Sequence, residues 1–458
     1  MGHHAEVVTV VGGGASGALV AHQLLRQATT PIRVIVIEPR ADIGRGIAYG
    51  TPNPLHLLNV RAGCMGADPD TPGDFGDWAR QNAVGDDQDF VPRARYGDYL
   101  RSLLGPVEHV RAEAVDIVST ARGADVVLTN GSIVHGHRVV LAPGPSPQQW
   151  PASLRANGRR WISDPWAPGA LTGLRPDVPV LLVGTGLTAV DVALSLDAAG
   201  HQEILAVSRH GLLPLAHVDR RPPVPTLEPP GDATPRRLLA WARDAAAQTG
   251  DWRPVVDALR PLTDRLWGGL DEAGRRQFLA HLHRRWETVR HRMAPQVAVR
   301  IRDLQESGRL TVLGGGVRSG RNTLRGVEVR LADRTLRVGA VVNCTGPQPD
   351  VRRTNNHLVR ELLAARVVRP GPLGLGLATT MGGSPVSLLV YLPDVDKAVE
   401  RAKAEGAKIV KPVEDQFYGD RSGFIQDPFG HLWAVSTHIE DVSPKDLEQR
   451  MKKMSQAA

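Results

Sequence analysis

Lysine is absent from the first 380 residues of this 458-residue chain, and cysteine is scarce throughout. The two cysteines, Cys64 and Cys344, lie 280 positions apart and form no CxxC pair. That spacing argues against a redox dithiol, a zinc knuckle and a disulfide framework. No apolar run reaches the roughly 18 residues that cross a bilayer, so no membrane partner is expected. The chain enters an apolar run at Val7 without a charged leader and small-residue cleavage site. A secretory signal is therefore not expected, and a cytoplasmic location is. No nucleophilic triad or cluster of metal-ligating residues stands out; no metal is assigned and the catalytic residues stay open. With 42% hydrophobic and 22% charged residues, the composition is that of a globular protein, and the length suits two to four domains.

The formal charge is +7. The arginines are spread along the chain instead of forming a compact basic run, so nucleic acid is not an expected partner. All seven lysines (Lys397, Lys403, Lys408, Lys411, Lys445, Lys452 and Lys453) fall in the last sixth of the chain. That tail holds ten basic and twelve acidic side chains, which leaves it at −2 and the body at +9. A composition break of this kind reads as two pieces of different origin joined near Thr380 and Met381. The expected domains are therefore 1–150, 151–380 and 381–458.

Two glycine motifs carry the body. Val7–Val11 reads as a buried parallel strand and Ala18–Gln27 as a helix. Between them lies Gly12-Gly13-Gly14-Ala15-Ser16-Gly17, the pattern GxGxxG. A second β-branched run, Ile32–Ile37, ends in Glu38, 21 residues past Gly17. Gly12 permits a tight turn, Gly14 lets backbone approach a pyrophosphate, and Gly17 lets helix and strand pack closely. Glu38 is placed to accept from ribose hydroxyls.

The pattern then repeats. Val178–Val183 reads as a strand, Gly184-Thr185-Gly186-Leu187-Thr188-Ala189 is GxGxxA, Val190–Ala199 is helical, and Glu203–Val207 leads to Arg209. Arg209 stands 25 residues after Gly184, as Glu38 stands 26 after Gly12. An acid there suits a free 2′-hydroxyl and an arginine suits a 2′-phosphate. The expected cofactors are FAD in the first unit and NADPH in the second. The candidate residues are Gly12, Gly14, Ser16, Gly17 and Glu38 for FAD, and Gly184, Gly186, Thr188 and Arg209 for NADPH. Arg138–Ala142 reads as the strand returning to the first unit and Ala340–Cys344 as the strand closing the second. The fold class is thus α/β, with two Rossmann-like dinucleotide-binding units, the second inserted in the first. Residues 233–309 form a helical insertion. His281, His283, His291 and the arginines between them make a basic stripe there, read as a solvated helical face in preference to an anion clamp.

The stretches VVGGGASGALVA, GRGIAYGTPNPLHLLNVRAG, LLVGTGLTAVDVAL, HRRWETVRHRMAP and VVNCTGPQPDVR resemble the FAD-NAD(P)-binding proteins that include FAD-dependent urate hydroxylases and amino-acid N-monooxygenases. The resemblance covers most of residues 5–380. It implies an NADPH-linked monooxygenase that hydroxylates a small polar substrate through a flavin C4a-hydroperoxide. It also implies that His56 and Asn59, in the long loop Gly44–Gly63, lie on the flavin side. Spacing alone supports only an NAD(P)H-linked flavoprotein. The family normally continues past GLGLATT into a further strand and a glycine-rich helix start beside the flavin; here that segment is replaced.

The tail reads βαβββ: Val386–Tyr391, Val395–Glu405, Ala407–Lys411, Phe424–Gln426 and Leu432–Thr437, with a helix over Leu447–Met454. With DQFYGDRSG and QDPFGHLW, it resembles the second half of a glyoxalase/bleomycin-resistance (vicinal oxygen chelate) domain. His431 and His438 are its only imidazoles, and both read as structural. A lone half-module leaves an open sheet edge, which points to a possible homodimer through the tail. Two other readings remain: a nucleotide-binding protein with a degenerate flavin site, and a lyase or binding module formed by pairing of two tails.

Overall fold

The computed structural model describes residues 5–231, 233–379, 387–392, 394–416, 419–426, 432–440, 442 and 450. They fall into two compact units, Met1–Pro223 with His283–Ala364, and Val224–Leu282 with Ala365–Ala458.

The first unit opens with β1 (Glu6–Val11), α1 (Ala15–Gln27) and β2 (Ile32–Ile37). Helices α2 (Asp74–Gln81) and α3 (Arg93–Ser102) follow the long loop and precede β3 (Glu108–Val110). An antiparallel sheet of β4 (Ala114–Thr120), β5 (Gly123–Leu128) and β6 (Ile133–Gly136) comes next, then β7 (Arg138–Leu141). The parallel sheet has the order β3-β2-β1-β7, with Val8 opposite both Val34 and Arg138. Its β-branched residues Val10, Val34, Val36 and Ile37 are buried, as a sheet covered on both faces demands. β2 and β7 flank β1 on opposite sides, so the strand order reverses between β1 and β7, the place where open α/β sheets take ligands.

The same plan recurs. After the short β8 (Trp161–Ile162) come β9 (Val180–Val183), α4 (Leu187–Ala198) and β10 (Ile204–Val207). Helices α5 (Pro235–Thr249), α6 (Trp252–Leu259), α7 (Thr263–Gly269) and α8 (Glu272–Gln277) belong to the other unit. The chain then runs through α9 (His283–Arg290), α10 (Pro295–Glu306), β11 (Leu310–Leu313), the antiparallel β12 (Val317–Thr323), β13 (Gly326–Leu331) and β14 (Thr335–Val338), and β15 (Ala340–Asn343). The second parallel sheet reads β11-β10-β9-β15-β8, again switching direction beside the strand that leads into its glycine turn, β9. Helix α4 is apolar nearly all round and sits in the core, with Val190, Val192, Leu194 and Leu196 each at most 2% exposed. Helix α11 (His357–Ala364) packs back on β4 of the first sheet region, so the chain brackets the second dinucleotide unit with the first. Both glycine-led helices start three residues earlier than the spacing predicts, at Ala15 and Leu187, because the glycine turn enters the helix directly.

In the second unit α5 packs on α6 and α8, with Thr234, Asp251 and Asp271 capping those three helices by side chain. Residues 365–379 form a hairpin of β16 (Val368–Pro370) and β17 (Leu377–Thr379). The tail runs β18 (Ser387–Tyr391), α12 (Val395–Ala404), β19 (Lys408–Asp415), β20 (Asp420–Gln426) and β21 (Leu432–His438), the βαβββ order read from the sequence. Its sheet is ordered β18-β21-β20-β19, and Val395 and Val399 of α12 bury against Ile425 and Val435. The expected helix Leu447–Met454 apart from Arg450, His431 and the seam at Thr380 and Met381 lie outside the described residues. Among the described residues no helix is long and apolar enough to cross a membrane.

Candidate functional site

The two glycine turns are built alike. Gly12 has φ +102°, and a Cβ on it would lie 2.0 Å from the Ala142 carbonyl oxygen. Gly184 has φ +123°, and its Cβ would lie 2.1 Å from the Cys344 carbonyl oxygen. Only glycine fits either place, where the first strand's end passes the returning strand. Gly17 is held tight as well, its Cβ falling 1.9 Å from the Gly12 carbonyl oxygen, and Ala189 is buried in the equivalent position. Gly14 and Gly186 are the N-caps of α1 and α4, and neither helix has a side-chain cap. Uncapped first-turn N–H groups at a switch point suit an anion. A Cβ on Gly186 would meet nothing within 4 Å, so backbone there faces open space, whereas Gly14 faces Gly46 Cα at 3.7 Å. Ser16 is exposed and Thr188 half-buried, each the second residue of its helix.

At the end of β2 Glu38 is 4% exposed. Its Oε2 accepts from Gly13 N at 2.9 Å and its Oε1 from Arg40 N at 3.0 Å, so the carboxylate is fixed against the glycine turn with lone pairs left over. Arg209 is exposed at the end of β10, its carbonyl accepting from Gly315 N. The donor sets fit an adenine dinucleotide at both places: a glycine cradle, a bare helix start, and an acid in one unit against a cation in the other.

Within the first compact unit the structure also shows how the two dinucleotide-binding halves meet. Loop 44–63 follows β2, starts against the first glycine turn with Gly44 N donating to the Gly13 carbonyl at 2.7 Å, and packs on α4. His56, 4% exposed, has Nδ1 2.7 Å from Thr51 Oγ1, and its Nε2 lies 3.0 Å from the Asp191 carbonyl oxygen and 2.9 Å from Ser195 Oγ. Asn53 Nδ2 donates to Ser195 Oγ at 3.0 Å. Arg93 places NH1 2.8 Å from Asp191 Oδ2 and donates through Nε to the Leu57 carbonyl at 3.1 Å. The Arg93–Asp191 contact is an ion pair by distance, without the alignment of a hydrogen bond at Oδ2. Further along the loop Arg61 donates to the carbonyls of Gln88, Val218 and Asp219, and His217 Nε2 lies 3.0 Å from the Asn59 carbonyl oxygen. His56 and Asn59 thus tie the loop to the second dinucleotide unit through the His56 ring and the Asn59 main chain.

Burial sets the charge states of this cluster. It holds the His56 imidazole down to about 4, with the Arg93 cation adding to the effect and the contact with the Asp191 carbonyl opposing it. Burial pushes the Asp191 carboxyl up to about 6, against the pull of Arg93. It also pushes the Cys344 thiol up, with the Asp191 charge adding to the effect. Sequence reading did not single out Arg93, Asp191, Asn53 or Ser195. One signal was available, since Asp191 is a lone acid inside the apolar run Ala189–Leu194, and a buried charge needs a partner.

Among the described residues no group of three or more His, Cys, Asp or Glu side chains could hold a metal ion. His438 instead pairs with Asp420, Nδ1 to Oδ1 2.9 Å.

Comparison with known proteins agrees with two parts. Residues 9–146 match the family described as FAD-NAD(P)-binding. Residues 341–435 match the Glyoxalase/Bleomycin resistance protein/Dioxygenase superfamily. Among curated proteins, 73 residues (16% of the chain) are 38% identical to an uncharacterized protein of Mycobacterium bovis, covering 48% of its length. The same share matches an uncharacterized protein of Mycobacterium tuberculosis over 43% of its length, so the chain spans less than half of the curated relatives it matches. Among solved structures, the ornithine N-hydroxylase of Kutzneria sp. 744, with reduced FAD, NADP+ and L-ornithine, shares 17% identity at TM-score 0.53, covering 79% of this chain and 85% of that one. Reduced ornithine hydroxylase of Pseudomonas aeruginosa gives 18% and 0.54 over 79% and 86%. The FAD-bound cadaverine monooxygenase of Erwinia amylovora gives 15% and 0.52 over 76% and 79%. At these identities the likeness is one of fold.

Proposed function

We propose that this chain is an FAD-dependent, NADPH-linked oxidoreductase of monooxygenase type, acting on a small polar substrate. The observation that carries the reading is the pair of glycine turns at two switch points, with an acid closing one ribose position and an arginine the other. The match of residues 9–146 to an FAD-NAD(P)-binding family supports it, as does the shared fold of enzymes that hydroxylate ornithine and oxidise cadaverine. The domains are proposed as 1–150, 151–380 and 381–458, in a cytoplasmic protein. Bound flavin would accept hydride from the nicotinamide and activate oxygen. Gly12–Gly17 and Glu38 hold the FAD adenosine end, and Gly184–Ala189 with Arg209 hold that of NADPH. Loop 44–63, pinned to α4, keeps the two units in register so that their cofactors meet. The test is an absorbance spectrum of the purified protein after incubation with FAD. Flavin bands that bleach on adding NADPH support the reading. A colourless protein after reconstitution refutes it.

A second reading rests on the tail. Its sheet is a single βαβββ module, with Ile409 44% and Val410 57% exposed on β19, and residues 341–435 match the glyoxalase superfamily. Two tails pairing edge to edge or face to face would cover that strand. Sedimentation equilibrium on the intact chain decides it, since a monomer at micromolar concentration removes the paired-tail module.

A further inference from the structure

The basic stripe on α9 is not all solvated. His283 and His291 lie beside Glu287 at the surface, with His291 Nδ1 3.1 Å from Glu287 Oε2. Arg284 turns the other way. It is half-buried, and its NH2 donates to Thr185 Oγ1 at 3.2 Å, inside the second glycine turn and 99 positions away in sequence. Thr185 is fully buried; its hydroxyl donates to the Leu212 carbonyl at 2.6 Å and lies 2.9 Å from Ser208 Oγ. The Ser208 hydroxyl in turn accepts from Gly211 N at 3.0 Å. The side chain that orients Arg284 is therefore itself fixed by the end of β10, the strand that presents Arg209.

This chain of contacts brings the Arg284 guanidinium to Thr185, and Thr185 to Ser208, the neighbour of Arg209 in sequence. Burial holds Arg284 below the usual arginine range, Glu287 on its own helix opposes this, and the nearby Arg209 cation adds to the lowering. Among the described residues neither Arg209 nor Arg284 has a carboxylate within ion-pair distance. Two cations near each other, neither with a carboxylate at ion-pair distance, repel in the free protein, and a dianion between them turns that repulsion into attraction. Planar guanidinium forks suit phosphate oxygens. The place is equally specific: it lies between the glycine turn, which approaches a pyrophosphate, and the end of the second strand, which reaches the adenosine ribose.

Resting on the NADPH reading above, we propose that Arg284, supplied by the helical insertion, is the second arm of a 2′-phosphate clamp with Arg209. Arg284 is then a specificity-determining residue that separates NADPH from NADH. The test uses the full chain and titration calorimetry with 2′,5′-ADP and 5′-AMP, which differ by the 2′-phosphate alone. The unmodified protein should prefer 2′,5′-ADP. Arg284→Gln should weaken 2′,5′-ADP roughly ten- to a hundredfold while leaving 5′-AMP within about twofold. Arg284→Lys, which keeps the charge and loses the fork, should fall between them and guards against a folding defect in the glutamine variant. An unchanged ratio of the two affinities in both variants overturns the clamp while leaving the NADPH reading intact. Equal loss of both ligands also overturns it and places Arg284 on the 5′-phosphate. If the unmodified protein shows no preference, the NADPH assignment itself fails, and the clamp falls with it.

Discussion

His56 Nε2 lies 2.9 Å from Ser195 Oγ, joining the loop that follows β2 to the helix that the second glycine turn starts. The contact spans 139 positions and sits in a cluster with Asn53, Arg93 and Asp191 that binds one dinucleotide unit to the other. How firmly that joint holds should depend on which of its members are charged.

Asp191 and His56 pull stability in opposite directions with pH. The Asp191 carboxyl is raised from 3.8 to about 6, so its contribution is present below pH 3.8 and lost as pH rises through 6. His56 is lowered from 6.5 to about 4, so its contribution is present above pH 6.5 and lost as pH falls through 4. Each shift corresponds to roughly 3 kcal/mol, and the two slopes nearly cancel in the unmodified protein. His56→Asn should leave a protein that loses stability between pH 4 and 6. Asp191→Asn should leave one that gains stability over pH 4 to 6.5. Urea unfolding midpoints across that range check both; slopes of the same sign in the two variants would contradict this account.

Removing Arg93 leaves the buried Asp191 charge without its counterion. Arg93→Met should destabilise the chain by about 3–5 kcal/mol at neutral pH. Adding Asp191→Leu should recover part of that loss, because the uncompensated charge is then gone. The comparison is of unfolding free energies for the two single variants and the double one. Additive losses would show that the pair is not coupled.

The glycines of the second turn should separate folding from binding. At Gly184 a Cβ meets the Cys344 carbonyl oxygen and the backbone has φ +123°. Gly184→Ala should therefore cost at least roughly 1–3 kcal/mol of stability. At Gly186 the same change meets no atom within 4 Å, so it should cost about 1 kcal/mol or less. Gly186→Ala should instead weaken NADPH binding by roughly tenfold, about 1.4 kcal/mol, by filling the space where a phosphate would approach backbone. Melting temperatures and NADPH titrations on both variants distinguish the two roles. A Gly186→Ala protein with undiminished NADPH affinity would remove that turn from the site.

The two thiols should differ sharply in reactivity. Cys344 is 3% exposed and its thiol is pushed up by burial. Cys64 is exposed, with Arg221 NH1 3.2 Å from its sulfur. The native protein should react with one equivalent of a thiol reagent at Cys64 and with a second only after denaturation. Peptide mapping of the labelled protein checks the assignment.

Much of this protein was legible from spacing alone. Strand, glycine turn, helix, strand and terminal charge form a unit of about thirty residues whose parts meet locally. The periodicity of β1 and β2, the glycines at 12 and 184, and the βαβββ tail could therefore be read without a structure. Glu38 and Arg209 were visible as residue types at matching offsets in the two units, and Asn59 only through the family resemblance, but their partners were not. That loop 44–63 closes on α4 through His56, that Arg93 answers the lone acid in that helix, and that Arg284 reaches Thr185 while its neighbours face water depend on elements 90 or more positions apart. Such pairings are decided by which faces pack in the assembled core, a condition no local pattern encodes.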